Sequence, residues 1–146
     1  AVGAPSLVVD PRRRRIVAAG RPIHLPPAEF AFYLWFVWQR LEGRDPIPSP
    51  NEGAPEAGYA SHFLAAYRSL RGPLADLERT ERALVGGMTK DYFMQRRARL
   101  RRRLEAALGE AAETYHVAAL GRRPNTRYAL TLDRAAIRFA AAPEAP

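Results

Sequence analysis

The sequence predicts an α+β fold in a single domain, with short strands at both ends of the chain enclosing a helical middle. Three observations carry this. Residues 6–25 hold three short β-rich runs, SLVVD, IVAA and IHL, divided by turn residues. Residues 27–109 change to apolar spacings of three and four, the period of helices. Residues 114–139 return to strand patterns, TYHVAAL and RYALTL, on either side of the loop GRRPNT. A chain of 146 residues with 47% hydrophobic and 10% aromatic residues can bury one core. The domain is therefore read as residues 1–139, and the closing AAAPEAP, residues 140–146, as a flexible tail.

In order, residues 6–10, 16–19 and 23–25 form a small antiparallel strand meander, turned first at Pro11 to Arg15 and again at Gly20 to Pro22. The run Arg12 to Arg15 is taken as a solvated turn in preference to a binding site. Pro26 and Pro27 suit a helix entrance, where a missing N–H costs nothing, and Glu29 complements the dipole of the first turn. The helix runs to Leu41 with Phe30, Leu34, Val37 and Leu41 as its core stripe. Phe32, Trp35 and Phe36 lie on the other side, so the helix needs cover all round. The strands on one side and the helical core on the other provide it. The competing reading makes Trp35 and Phe36 a contact for a second subunit or a further domain.

Residues 43–58, with four prolines and three glycines, read as an irregular and mobile loop. A helix follows in which Phe63, Tyr67 and Leu70 align, stopped by Gly72 and Pro73, and another runs from Leu74 to Val85. Gly86 and Gly87 end that segment. Thr89 is the expected N-cap of the next helix and Gly109 its stop. Residues 114–139 are read as a wing-like hairpin with Arg122, Arg123 and Arg127 at or near its tip, and residues 136–139 as a short added edge strand.

The functional reading centres on residues 92–108, YFMQRRARLRRRLEAAL, in which six arginines occupy the eight positions 96–103. Phe93, Leu100, Leu104 and Leu108 recur at intervals of 7, 4 and 4, one buried side of a helix. Arg102 falls opposite Phe93, with Gln95, Ala98 and Arg99 beside it and Arg96, Arg101 and Arg103 on the flanks. A helix with one face for a core and the other crowded with planar donors is what insertion into a phosphate-lined groove requires. The plainer alternative is a solvated helix whose arginines pair with acids, but Asp91 is the sole acid within residues 90–104. Arg97, close to the apolar side, is expected to snorkel or to pair with a carboxylate.

Charge supports the same reading. The net charge is +8, with five basic residues against two acids in residues 1–39, six against seven in 40–89, and twelve against six in 90–146. The excess thus sits at the two ends, and a polyanionic partner is implied. Arginine supplies 22 of the 23 basic residues, a bias that a GC-rich genome produces as well, so position carries more weight than type. With no cysteine, disulfides, thiolate metal sites and cysteine nucleophiles are excluded, and a reducing cytoplasm is expected. The longest apolar run, residues 30–38, is too short to cross a bilayer, and no signal peptide is visible. His24, His62 and His116 lie on separate elements, no metal-spaced pair or glycine-rich phosphate loop is present, and neither enzymatic activity nor a cofactor is expected.

The stretch LVVDPRRRRIVAAGRPIHLPPAEFAFYLWF resembles the opening strands and the Leu-Thr-x-x-Glu-Phe helix entry of winged helix-turn-helix domains of the response-regulator effector type. RARLRRRLE resembles their recognition-helix core, and YHVAALGRRPNTRYAL their wing. The likeness covers about two thirds of the chain, from its two ends; residues 43–88 are longer than the family's second helix and turn, and Arg97 replaces an apolar residue. A closer likeness is to the C-terminal region of CRISPR-associated ring-nuclease proteins, whose N-terminal half is a CARF domain sensing cyclic oligoadenylate. That resemblance implies an effector domain in antiviral defense, with cyclic-nucleotide cleavage residing in an N-terminal domain that this chain does not contain.

The winged-helix resemblance implies duplex DNA as partner and transcription regulation as a role. Gln95, Arg99 and Arg102 would face base edges, Arg96 and Arg103 would clamp phosphates, and Arg122, Arg123 and Arg127 would reach a minor groove or the backbone. A second class of function keeps the fold without the grip on DNA: an interaction or dimerisation module of a ring nuclease, acting through Trp35 and Phe36. RNA binding ranks third, because it needs aromatics exposed beside the arginines, and only Tyr92, Tyr115 and Tyr128 are candidates.

Overall fold

A computed structural model describes residues 4–70 and 76–141. Its element order is mixed α+β, as expected. Strands β1 (Leu7–Asp10), β2 (Arg15–Ala18) and β3 (Arg21–His24) form the antiparallel meander, with Leu7 opposite Ala18 and Ile16 opposite Ile23. Alternation turns Leu7, Val9, Ile16, Ala18 and Ile23 inward. Ala19 and Gly20, both at positive φ, make the two-residue loop between β2 and β3 that such a hairpin favours. At the first turn Asp10 is buried and accepts from the Arg13 amide and guanidinium at 3.2 and 3.1 Å. Arg15 Nε approaches the same carboxylate at 3.8 Å, so two members of the arginine run are committed to holding the turn.

Helix α1 (Pro27–Leu41) is the centre of the molecule. Every residue from Glu29 to Val37 is buried, because the two helices α2 (Ala57–Arg68) and α4 (Lys90–Leu108) and strand β5 (Arg127–Leu130) pack around it and its side chains share one core with the inward residues of the sheet. Phe32, Trp35 and Phe36 join Tyr59, Phe93 and Tyr128 in one aromatic cluster; the Phe93 ring lies 5.3 Å from both Phe32 and Tyr128, edge to face. Trp35 and Phe36 are each only 1% exposed, which corrects the reading of their side chains as a surface for another subunit or a CARF domain. Their cover comes from α2, α4 and the hairpin of the same chain.

The segment between α1 and α2 lacks regular structure but is tied down. Ile47 pairs with Tyr128 through backbone hydrogen bonds of 3.0 and 2.7 Å, Tyr59 donates to the Pro48 carbonyl, and Glu56 pairs with Met88. Phe63, Tyr67 and Leu70 are buried as their spacing predicts, whereas the expected stop at Gly72 and Pro73 and the start at Leu74 lie outside the described residues. Helix α3 (Leu77–Ala83) is short and buries no side chain of its own. Thr89 caps α4, its hydroxyl accepting from the Tyr92 amide at 3.1 Å, and Gly109 ends it at φ 59°.

Two expectations at the C-terminal end are corrected. Residues 114 and 115 belong to helix α5 (Ala112–Tyr115), not to a strand, since Ala112 and Tyr115 three apart bury one face and the Tyr115 carbonyl accepts from the Tyr33 hydroxyl at 2.6 Å. The hairpin is therefore only β4 (Val117–Leu120) and β5, joined by the arginine-bearing loop. Residues 136–139 do supply the expected edge strand, β6 (Ile137–Phe139), but on the N-terminal sheet and not on the hairpin: it pairs parallel with β1, giving the order β3-β2-β1-β6. Leu7 opposite Ile137 puts two buried apolar side chains together at that junction. Of the expected tail, residues 142–146 lie outside the described residues.

Candidate nucleic-acid interface

Helix α4 carries the site. Phe93, Leu100 and Leu104 are fully buried, while Leu108, the last of the expected stripe, is half-buried. Burying a leucine or phenylalanine side chain contributes about 1.5–3 kcal/mol, so this stripe fixes how α4 is rotated. The chain also fastens the helix at its C-terminal end, where Arg21 of β3 donates to the Ala107 carbonyl at 3.1 Å, a cation on an unpaired helix-end acceptor. Nothing in the local sequence signalled that contact.

The rotation sorts the arginines. Gln95, Arg99, Arg102 and Arg103 are exposed, and the three guanidinium groups have no carboxylate partner among the described residues. Arg96 is different. Its side chain is only 12% exposed, its Nη1 reaches Glu29 Oε1 at 3.4 Å, and its guanidinium lies 5.0 Å above the Tyr92 ring. The expectation that Arg96 clamps a phosphate is corrected: it faces the first turn of α1 and neutralises a carboxylate buried there.

Arg97 and Arg101 lie on the opposite flank. Arg97 donates from Nε to the Val117 carbonyl at 2.9 Å and stacks 4.9 Å over the Tyr128 ring. It snorkels as expected, with a backbone carbonyl in place of a carboxylate. Burial is the main reason that its pKa falls below the usual arginine value. Arg101 pairs with Glu105 at 2.6 Å, one turn along the helix. Arg122, Arg123 and Arg127 are exposed on the hairpin, with Arg127 donating to the neighbouring Thr126 carbonyl at 3.3 Å.

Two concavities flank α4. One, about 700 Å³, lies between α4, α3 and the first turn of α1, and is lined by Arg99, Arg102 and Arg103. The other, about 920 Å³, is lined by Arg97, Arg101, Glu105 and His116. His116 is buried with neither ring nitrogen hydrogen-bonded among the described residues, and burial, then Arg97 and Arg101, pull its pKa down to about 4. It is a neutral imidazole at pH 7 and adds no charge to the site. Among the described residues no cluster of three potential metal ligands occurs, and no helix is long and apolar enough to cross a membrane.

What the surface offers is an array of fixed cations and amide donors, suited to gripping phosphates and base edges. Comparison with protein-family models, with characterised proteins and with solved structures yields no match.

Proposed function

We propose that the chain binds duplex DNA as a winged helix-turn-helix domain. Helix α4 enters the major groove, α3 with the turn before Thr89 forms the first half of the helix-turn-helix, and the β4–β5 hairpin serves as the wing. The observation that supports this most is the solvent face of α4, where Gln95, Arg99, Arg102 and Arg103 stand exposed and the arginines have no carboxylate partner among the described residues. Gln95, Arg99 and Arg102 read base edges, Arg103 holds a phosphate, and Arg122, Arg123 and Arg127 track the adjacent backbone or minor groove. The resemblance to the C-terminal region of ring-nuclease proteins extends the proposal to an effector role in CRISPR-associated defense. In that role the chain has no catalytic part.

The test is fluorescence anisotropy with duplex DNA at several salt concentrations. Six exposed guanidinium groups with no carboxylate partner among the described residues, Arg99, Arg102 and Arg103 on α4 and Arg122, Arg123 and Arg127 on the hairpin, set the ceiling of the electrostatic response. If all neutralise phosphates, affinity falls by about 10³ between about 50 and 200 mM salt. The double reversal Arg99→Glu and Arg102→Glu abolishes binding and leaves the melting temperature nearly unchanged, since both side chains project into solvent. Binding that ignores salt, or no binding to any duplex, overturns the proposal.

A further inference from the structure

The flank of α4 that turns toward α1 does more than present charge to solvent. Arg96, Arg99 and Arg103, spaced three and four apart, line one wall of the 700 Å³ groove, with Arg102 beside them. Arg79 enters from α3, and the first turn of α1 closes the remaining side. Two carboxylates also line this space: Glu29, held by Arg96 at 3.4 Å, and Asp76, held by Arg79 at 3.7 Å. Setting those two pairs aside leaves Arg99, Arg102 and Arg103 gathered around a concavity with no carboxylate partner among the described residues. Three like charges brought together beside low-dielectric walls repel one another and focus a positive potential into the space between them. The amides of Ala28 and Glu29, second and third in α1, have no intrahelical acceptor, and Pro26 offers no side-chain cap.

We infer that this groove is a phosphate seat. It takes one phosphate group on Arg99 and Arg103, the pair that the neutralised Arg79 and Arg96 leave free on this wall. This deepens the duplex reading, rests on the same helix and moves Arg99 from a base edge to the phosphate: with a phosphate held at its flank, α4 is fixed in depth and rotation while Gln95 and Arg102 meet the bases. The chemistry recognised is a phosphate with at least two free oxygens, matched by the planar fork of a guanidinium. Such a group comes either from a backbone phosphodiester or from a strand's terminal phosphate.

The first arm of the test titrates inorganic pyrophosphate into the whole chain at constant ionic strength, followed by calorimetry. The wild type shows saturable binding. Arg99→Gln with Arg103→Gln weakens it by about tenfold or more, and Arg12→Gln with Arg138→Gln, two exposed arginines outside the proposed interface, leaves it within about twofold. No saturable binding by the wild type, or an equal loss in the control variant, overturns the seat. The second arm compares duplexes with and without a 5′ phosphate: preference for the phosphorylated end assigns the terminal phosphate, and equal affinity assigns the backbone. The two proposals fail separately. If pyrophosphate binds as stated but no duplex does, the duplex reading falls and the seat stands. If duplex binds and pyrophosphate is silent, the seat falls and the duplex reading stands.

Discussion

Replacing Arg96 by methionine separates an arginine that holds the fold from those that face the partner. The substitution keeps an apolar stem against the Tyr92 ring but removes the charge from Glu29, whose side chain is only 7% exposed. An uncompensated buried carboxylate costs about 3–5 kcal/mol. The pair here spans 3.4 Å through a single hydrogen bond, and Glu29 keeps the favourable dipole of the first turn of α1, so the lower end applies, about 3 kcal/mol. For a chain of this size that loss lowers the melting temperature by roughly 6–12 °C. Adding Glu29→Gln to the same protein removes the stranded charge and restores at least half of the loss, a coupling of about 1.5 kcal/mol or more in the double-mutant cycle. Urea and thermal unfolding of the four proteins measure it. DNA affinity of Arg96→Met, taken well below its melting temperature, stays within about threefold of wild type, against the collapse expected for Arg99 and Arg102. An unchanged melting temperature together with a large loss of DNA affinity would show Arg96 free to reach phosphate, and the sorting of arginines by α4's rotation would be wrong.

Two further perturbations probe the scaffold. His116 has a pKa near 4 in the folded chain against an ordinary value of about 6.5, so the unfolded chain takes up its proton first. Its neutral burial therefore contributes full stability above about pH 6.5, lost as pH falls toward 4, by at most about 3 kcal/mol. The difference in urea stability between wild type and His116→Gln across that window isolates the imidazole, and a flat difference refutes it. Phe93→Ala removes a fully buried ring in contact with Phe32 and Tyr128, so it costs about 3–5 kcal/mol in urea unfolding; a loss under about 1 kcal/mol would mean that the cluster does not hold α4 to α1 and the hairpin.

The elements whose cause is local were legible in the residues. The leucine and phenylalanine spacing, the Thr89 cap and the Gly109 stop located α4, and proline and acid in the first turn located α1. The alternation of Leu7 to Ile23 gave the meander. Each of these depends on neighbours within a few residues, so the sequence alone contains the physics. Period even showed which side of α4 is buried, and hence that Gln95, Arg99 and Arg102 lie outside.

What the tertiary structure decided is which polar groups are already spoken for and which strand lies beside which. Arg96 and Arg103 occupy the same flank of α4 by helical period, but Glu29, 67 residues from Arg96, neutralises one and leaves the other exposed. β6 carries nothing in its three residues to say that it runs parallel to β1 instead of extending the hairpin. Trp35 and Phe36 look like a free apolar face until α2, α4 and the hairpin close over them. Ion pairing, strand order and mutual cover are set by distance through space, and a one-dimensional pattern records only distance along the chain.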